Sequence, residues 1–162
     1  MHRSGQLSGG GGWSLNGTAI ISSGFPLFVF QQNLNSAIGA LNQRPNATGI
    51  SPTGSGNPES RMNNYVSPAA FSSAPQYTFG NVSRSIPNYG PGMANWDISL
   101  FKRITIKERF KAEFRAEALN AFNTPDFANP NTNFSASNPN FGHIYKQMNL
   151  PRELQLGIRL AF

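Results

Sequence analysis

Residues 154–162 read LQLGIRLAF, and the alternation within these nine residues decides how the whole chain is read. Successive side chains of an extended strand point to opposite faces. Leu154, Leu156, Ile158, Leu160 and Phe162 therefore form one apolar row, and Gln155, Gly157, Arg159 and Ala161 form the other. One row suits hydrocarbon and the other water, which is the pattern of a strand that spans a membrane. A strand buried in a soluble sandwich carries the same alternation, so the remaining sequence has to separate the two cases.

Composition argues against a compact soluble core. Of the 162 residues 38% are hydrophobic and 12% charged, while Gly, Pro, Asn and Ser fill long stretches. With no cysteine, neither a disulfide framework nor a thiolate metal site is available. No apolar run approaches the ~20 residues of a membrane helix, and the first residues lack the apolar core of a signal peptide. The net charge of +6 comes from 13 basic and 7 acidic residues. Its one dense basic set, Lys102 to Arg115, contains Glu108 and Glu113, which would repel phosphate, so nucleic acid is not an expected partner.

Working outward from the last strand, three more segments alternate. They run over about 13–25, 95–104 and 110–122, with the terminal strand over 151–162, and residues 104–109 (ITIKER) read as a short charged connection between the second and the third. The third satisfies both templates, because Phe110, Phe114, Ala118, Leu119 and Phe122 also make a stripe at helical spacing. As a strand, however, it places Lys111, Glu113, Arg115 and Glu117 all on one face, and the preceding strand lies only a few residues upstream, so the strand reading is taken. Trp13, Trp96 and Phe122 stand at strand ends, where amphipathic rings suit the membrane interface.

The intervening stretches, 26–94 and 123–150, are rich in Asn, Ser, Pro and Gly without sustained periodicity, and read as long loops. Aromatics recur within the first, so it has material with which to fold on itself or hold a ligand. Residues 1–12 read as an amino-terminal tail and periplasmic turn that includes the run Gly9 to Gly12. The fold class expected is all-β, a fragment of an antiparallel transmembrane β-barrel. About four carboxy-terminal strands carry two long extracellular loops, located in the outer membrane.

Within that barrel the charges have a physical address. A Lys or Arg facing lipid costs about 2–4 kcal/mol at the midplane and little in a wet lumen. Lys111, Glu113, Arg115, Glu117 and Arg159 are therefore expected to face the lumen. Lys102 shares the parity of the apolar row and is expected to snorkel from the periplasmic end of its strand.

No catalytic residues are assigned, and no metal or cofactor is implied. His2 and His143 lack spaced partners, Glu113 and Glu117 alternate with cations instead of forming an acid/base pair, and the glycine run is followed by no phosphate-loop Lys. An enzyme is not expected. The rival reading is a soluble secreted β-rich module binding carbohydrate or peptide, with the terminal strand buried.

Several blocks in order resemble a known family. These are residues 95–102 (NWDISLFK), 114–117 (FRAE), 120–125 (NAFNTP), Phe141-Gly142 and the closing strand at Phe162, with 23–26 (SGFP) and 43–46 (QRPN) upstream. Together they look like the carboxy-terminal end of TonB-dependent outer-membrane receptors, of the Oar-like type that carries a carboxypeptidase-regulatory-like domain. The resemblance covers residues from about 12 to 162. It implies a barrel of 22 strands plugged by an amino-terminal domain, moving a bulky ligand inward with energy passed through TonB.

The resemblance also implies that Leu154, Leu156, Ile158, Leu160 and Phe162 act as the signal read by the barrel assembly machinery. Implied partners are outer-membrane lipid, the remaining strands and plug of the receptor and, indirectly, TonB. On this reading the chain is a truncated product that does not transport alone.

Overall fold

A computed structural model describes residues 2–9, 12–39, 42–54, 56–107 and 110–162. Its strands are β1 (His2–Gly9), β2 (Trp13–Ser22), β3 (Phe30–Gln31), β4 (Asn46–Ala47), β5 (Phe71–Ser72), β6 (Met93–Lys107), β7 (Phe110–Leu119), β8 (Asn133–Phe134) and β9 (Glu153–Ala161). The chain divides into two units. One is a five-stranded antiparallel sheet in the order β1-β2-β6-β7-β9. The other is made from residues 23–92 and 127–146.

All four expected strands form, with shifted ends that have local causes. β2 stops at Ser22, short of residue 25, where its pairing with Met93 ends. β6 runs on past residue 104 to Lys107, because Ile104, Thr105 and Ile106 continue the alternation with β-branched residues. The short charged connection expected there is thus strand as far as Lys107, with a register irregularity between Thr105 and Lys107; Glu108 and Arg109 lie outside the described residues. β7 stops at Leu119, not at residue 122, because Asn120 takes the left-handed region at φ 48°, which leaves the ladder. β9 starts at Glu153, since Pro151 has no N–H to donate and the Arg152 N–H is taken by Asn123 Oδ1 at 2.9 Å.

The expected tail at residues 1–12 is corrected more fully. Residues 2–9 form a fifth strand, paired antiparallel with β2 from His2↔Ile20 to Gly9↔Trp13. A sequence with Leu7 as its one large apolar residue carries little periodic signal. It is drawn into the sheet because the edge of β2 offers a row of backbone donors and acceptors. Of the glycine turn expected beside it, Gly10 and Gly11 lie outside the described residues. Gly12 sits at φ +77°, and a Cβ there would stand 2.3 Å from the Arg103 carbonyl oxygen, so this position needs glycine.

The second unit has its own core. Leu27, Val29, Val66, Phe71, Phe134, Phe141 and Ile144 are buried together, and the rings of Phe71, Phe134 and Phe141 lie with centroids 5.3–5.8 Å apart. Among its described residues, regular structure is limited to the two-residue pairs β3–β8 and β4–β5, three isolated bridges at Pro26↔Tyr89, Gln31↔Gln43 and Thr53↔Val66, and the 3-10 turns Ser36–Ile38 and Pro68–Ala70.

Side-chain amides supply what ladders do not. Gln43, only 1% exposed, accepts from Leu34 N–H at 2.9 Å and donates to the carbonyls of Pro75 and Thr78 at 3.0 and 3.1 Å. Gln31 brackets Ala74, and Asn35 accepts from the Tyr77 N–H while donating to the Thr78 carbonyl. Each amide carries both a donor and an acceptor, so it satisfies buried backbone groups on both sides. The long Asn-rich stretches are therefore folded, and the loop composition is the material of that folding.

Candidate functional site

The register of the sheet sorts its side chains into two faces. Paired residues point the same way, so Leu15↔Leu100, Leu100↔Ala116 and Ala116↔Leu156 align four strands' apolar rows. The same parity gathers Trp13, Ala19, Trp96, Ile98, Ile104, Phe110, Phe114, Ala118 and the whole β9 row. This face is open: Leu156 is 83%, Ile158 68% and Phe162 95% exposed. The rival in which the terminal strand is buried in a soluble sandwich is not what the chain forms.

The ionised residues collect on the other face. Arg103, Glu113 and Arg159 stand in one row across β6, β7 and β9, and Arg103 donates to Glu113 at 2.7 Å. In the next row Phe101, Arg115 and Gly157 are neighbours, with the Arg115 guanidinium 4.8 Å from the Phe101 ring. Beyond it, Ser99, Glu117 and Gln155 are aligned, and Ser99 Oγ donates to Glu117 at 3.4 Å. Lys111 pairs with Thr105 and Ala161 on the same face. All five charges picked from the sequence, Lys111, Glu113, Arg115, Glu117 and Arg159, thus share one side, opposite the apolar rows.

Lys102 is on the apolar face, as its parity requires, level with Trp13 at the start of β2 and five residues before the end of β6. Ile104 follows it on the same face, before the register irregularity between Thr105 and Lys107. Its ammonium lies 4.7 Å from the centroid of the Trp13 ring, its partner across β2. This cation–π contact lowers the cost of a cation beside hydrocarbon. Of the other aromatics picked out, Trp96 meets Phe122 edge-on at 5.9 Å, and the Ala121 N–H donates to the Trp96 carbonyl at 2.7 Å. Trp13 and Trp96 belong to opposite ends of the apolar face, since the register sets them six residues apart along β6.

Connectivity adds a direction. β1–β2 and β6–β7 are joined by two or three residues at one end of the sheet, whereas residues 23–92 and 120–152 both leave from the other. Phe162 lies at the short-turn end, its ring stacked on Phe110 with centroids 6.5 Å apart.

A sheet with one apolar face open along its full height, one ionised face, and this asymmetry of connections is built for a bilayer. A model of the outer membrane beta barrel domain matches residues 8–155, nearly the whole chain. This chain belongs to the outer-membrane β-barrel family. Comparison with curated proteins and with solved structures returns no match. The chain is an outer-membrane protein, and its five-stranded sheet has the two-faced pattern of a barrel wall. Two features went unread in the sequence, one for want of a signal and one in spite of it. β1 carries too few apolar residues to alternate visibly, while the buried positions Leu27, Val29 and Gln31 do alternate and could have been found by a shorter window.

Among the described residues no group of three or more His, Cys, Asp or Glu is placed to hold a metal ion. No helix among them is long and apolar enough to cross a membrane, which says nothing about crossing by strands.

Proposed function

We propose that this chain is the carboxy-terminal part of the barrel of a TonB-dependent outer-membrane receptor of the Oar-like type. It supplies wall strands, the terminal assembly signal and loops that contact the transported ligand. One observation carries the proposal: the two-faced sheet is interrupted by long, internally folded segments that leave from one end only, in the block order shared with such receptors. On this reading the apolar face meets lipid, with Trp13, Trp96 and Phe122 at the interfaces. Lys111, Glu113, Arg115, Glu117 and Arg159 face a wet lumen filled by the plug.

Leu154, Leu156, Ile158, Leu160 and Phe162 are read by the assembly machinery from the exposed edge strand β9. The protein binds and transports and is not an enzyme; TonB acts on it through the plug, and nucleic acid is not a partner. Purification from outer membranes through a tag inserted in residues 23–92 tests this. The recovered protein is expected to contain a plug domain and to bind the periplasmic part of TonB. A preparation with neither refutes the receptor assignment while leaving the barrel family intact.

A further inference from the structure

Within the unit built from residues 23–92 and 127–146, a cleft of about 380 Å³ opens between the turns around residues 63–68 and 134–143. Its floor is the aromatic trio Phe71, Phe134 and Phe141. Asn63, Asn64, Asn138 and His143 contribute polar groups to its lining. Asn138 is committed to the loop itself, donating to the Asn133 carbonyl at 2.8 Å and accepting from the Asn140 N–H at 3.0 Å. The side-chain amides of Asn63 and Asn64 and the ring nitrogens of His143 make no hydrogen bond to another described residue, and the His143 ring is stacked on Tyr145.

The walls are tied to one another before any ligand arrives. The N–H of Ile144 donates to the Met62 carbonyl at 2.7 Å, and the N–H of Tyr65 to the Gly142 carbonyl at 2.9 Å. Gly142 is at φ +76°, and a Cβ there would meet the Val66 carbonyl oxygen at 1.9 Å, so the two walls approach as closely as backbones can. Such a site holds its shape and loses little freedom on binding.

The chemistry of the lining is selective by what it contains. None of the lining residues is Lys, Arg, Asp or Glu. A charged ligand entering would shed hydration without gaining a counter-charge. Unengaged amides present a donor and an acceptor side by side, the complement of adjacent hydroxyl groups. The phenyl rings beneath them, 2–7% exposed and packed on one another, close the base of the cleft and fix its depth. The strands that reach the cleft, β5 and β8, are two residues each, too short to extend by adding a peptide strand. The volume is near the lower bound of the ~300–1,000 Å³ typical of small-molecule sites, which suits a sugar ring and its neighbour better than a bulky chelate.

We propose that this cleft is a recognition subsite for a neutral saccharide, held by Asn63, Asn64 and His143 over the phenyl floor. It deepens the receptor proposal and rests on its reading of the loops as ligand-contacting. The test uses the whole assembled protein purified from outer membranes, applied to a printed array of neutral hexose, pentose and N-acetylhexosamine oligosaccharides. Uronic-acid oligomers and short uncharged peptides are included, and binders are then titrated in solution.

Saturable binding to neutral glycans is expected, weakened at least tenfold by Asn64→Asp, Asn63→Asp or His143→Ala. The two Asp variants keep the shape of rim residues whose side chains hold nothing else in place. Absence of neutral-glycan binding by assembled protein overturns the inference, as does equal or tighter binding of uronates or peptides, or indifference to all three variants. Assembly is read separately by heat-modifiable migration. Protein that assembles but ignores sugar removes this inference alone, whereas protein that never enters the outer membrane removes the receptor proposal and this inference with it.

Discussion

A lysine moved along β9 should report the bilayer as a depth gauge. Ile158 is four residues from both Leu154 and Phe162 on the apolar row, or about 13 Å of strand each way at ~3.3 Å per residue. With strands tilted near 40°, it stands roughly 10 Å from either end of the row, close to the midplane. Ile158→Lys should therefore cost about 2–4 kcal/mol, a shift of roughly 30- to 700-fold in the folding equilibrium. Leu154→Lys, at the end of the row, should cost about 0–1 kcal/mol. Gln155→Lys, on the ionised face and aligned with Glu117, should be near neutral. The assay is outer-membrane assembly of the protein, read as the heat-modifiable band and its midpoint in urea. A Gln155→Lys cost equal to that of Ile158→Lys, or a flat cost along the row, would refute the assignment of the two faces.

Other perturbations separate the remaining elements. Gly142→Ala forces a side chain into a left-handed backbone against the Val66 carbonyl, so residues 23–92 should become protease-sensitive while the strands still insert. Gln43→Leu leaves the Leu34 N–H without its acceptor and takes one of several donors from the Pro75 and Thr78 carbonyls, a loss of about 1–3 kcal/mol, detectable as faster limited proteolysis of the same unit. Lys102→Leu should raise the urea midpoint, since hydrocarbon then meets an apolar side chain. Trp13→Ala should hurt more when Lys102 is present than when it is replaced, with a coupling of about 0.5–2 kcal/mol in the double-mutant cycle. Zero coupling would show that the ring does not shelter the ammonium.

Much of the wall was legible because alternation is local. Leu154 to Phe162 and Phe110 to Ala118 announce their faces within a few residues, and the segregation of Lys111, Glu113, Arg115 and Glu117 resolved the competition with a helix. The strand ends were less legible: Asn120 terminates β7 by its backbone conformation, and Ile104 to Ile106 prolong β6 through what read as a charged connection. β1 was missed because an edge strand recruited by its neighbour's backbone needs little side-chain pattern. That residues 23–92 could fold on themselves was legible in their aromatics, but which groups meet was not, because the amides find partners far along the chain, such as Gln31 with Ala74 and Asn35 with Thr78.

By itself the sequence determined which side chains share a face, and hence that one side of each strand is fit for lipid and the other for water. That is a consequence of a period of two, which needs no knowledge of neighbours. Only the tertiary structure decided who the neighbours are. It pairs β2 with β6 across some seventy intervening residues, lays Lys102 on Trp13, and draws Phe71, Phe134 and Phe141 into one core. Those choices depend on closing long loops and on satisfying every buried donor and acceptor at once, conditions that no window of sequence contains.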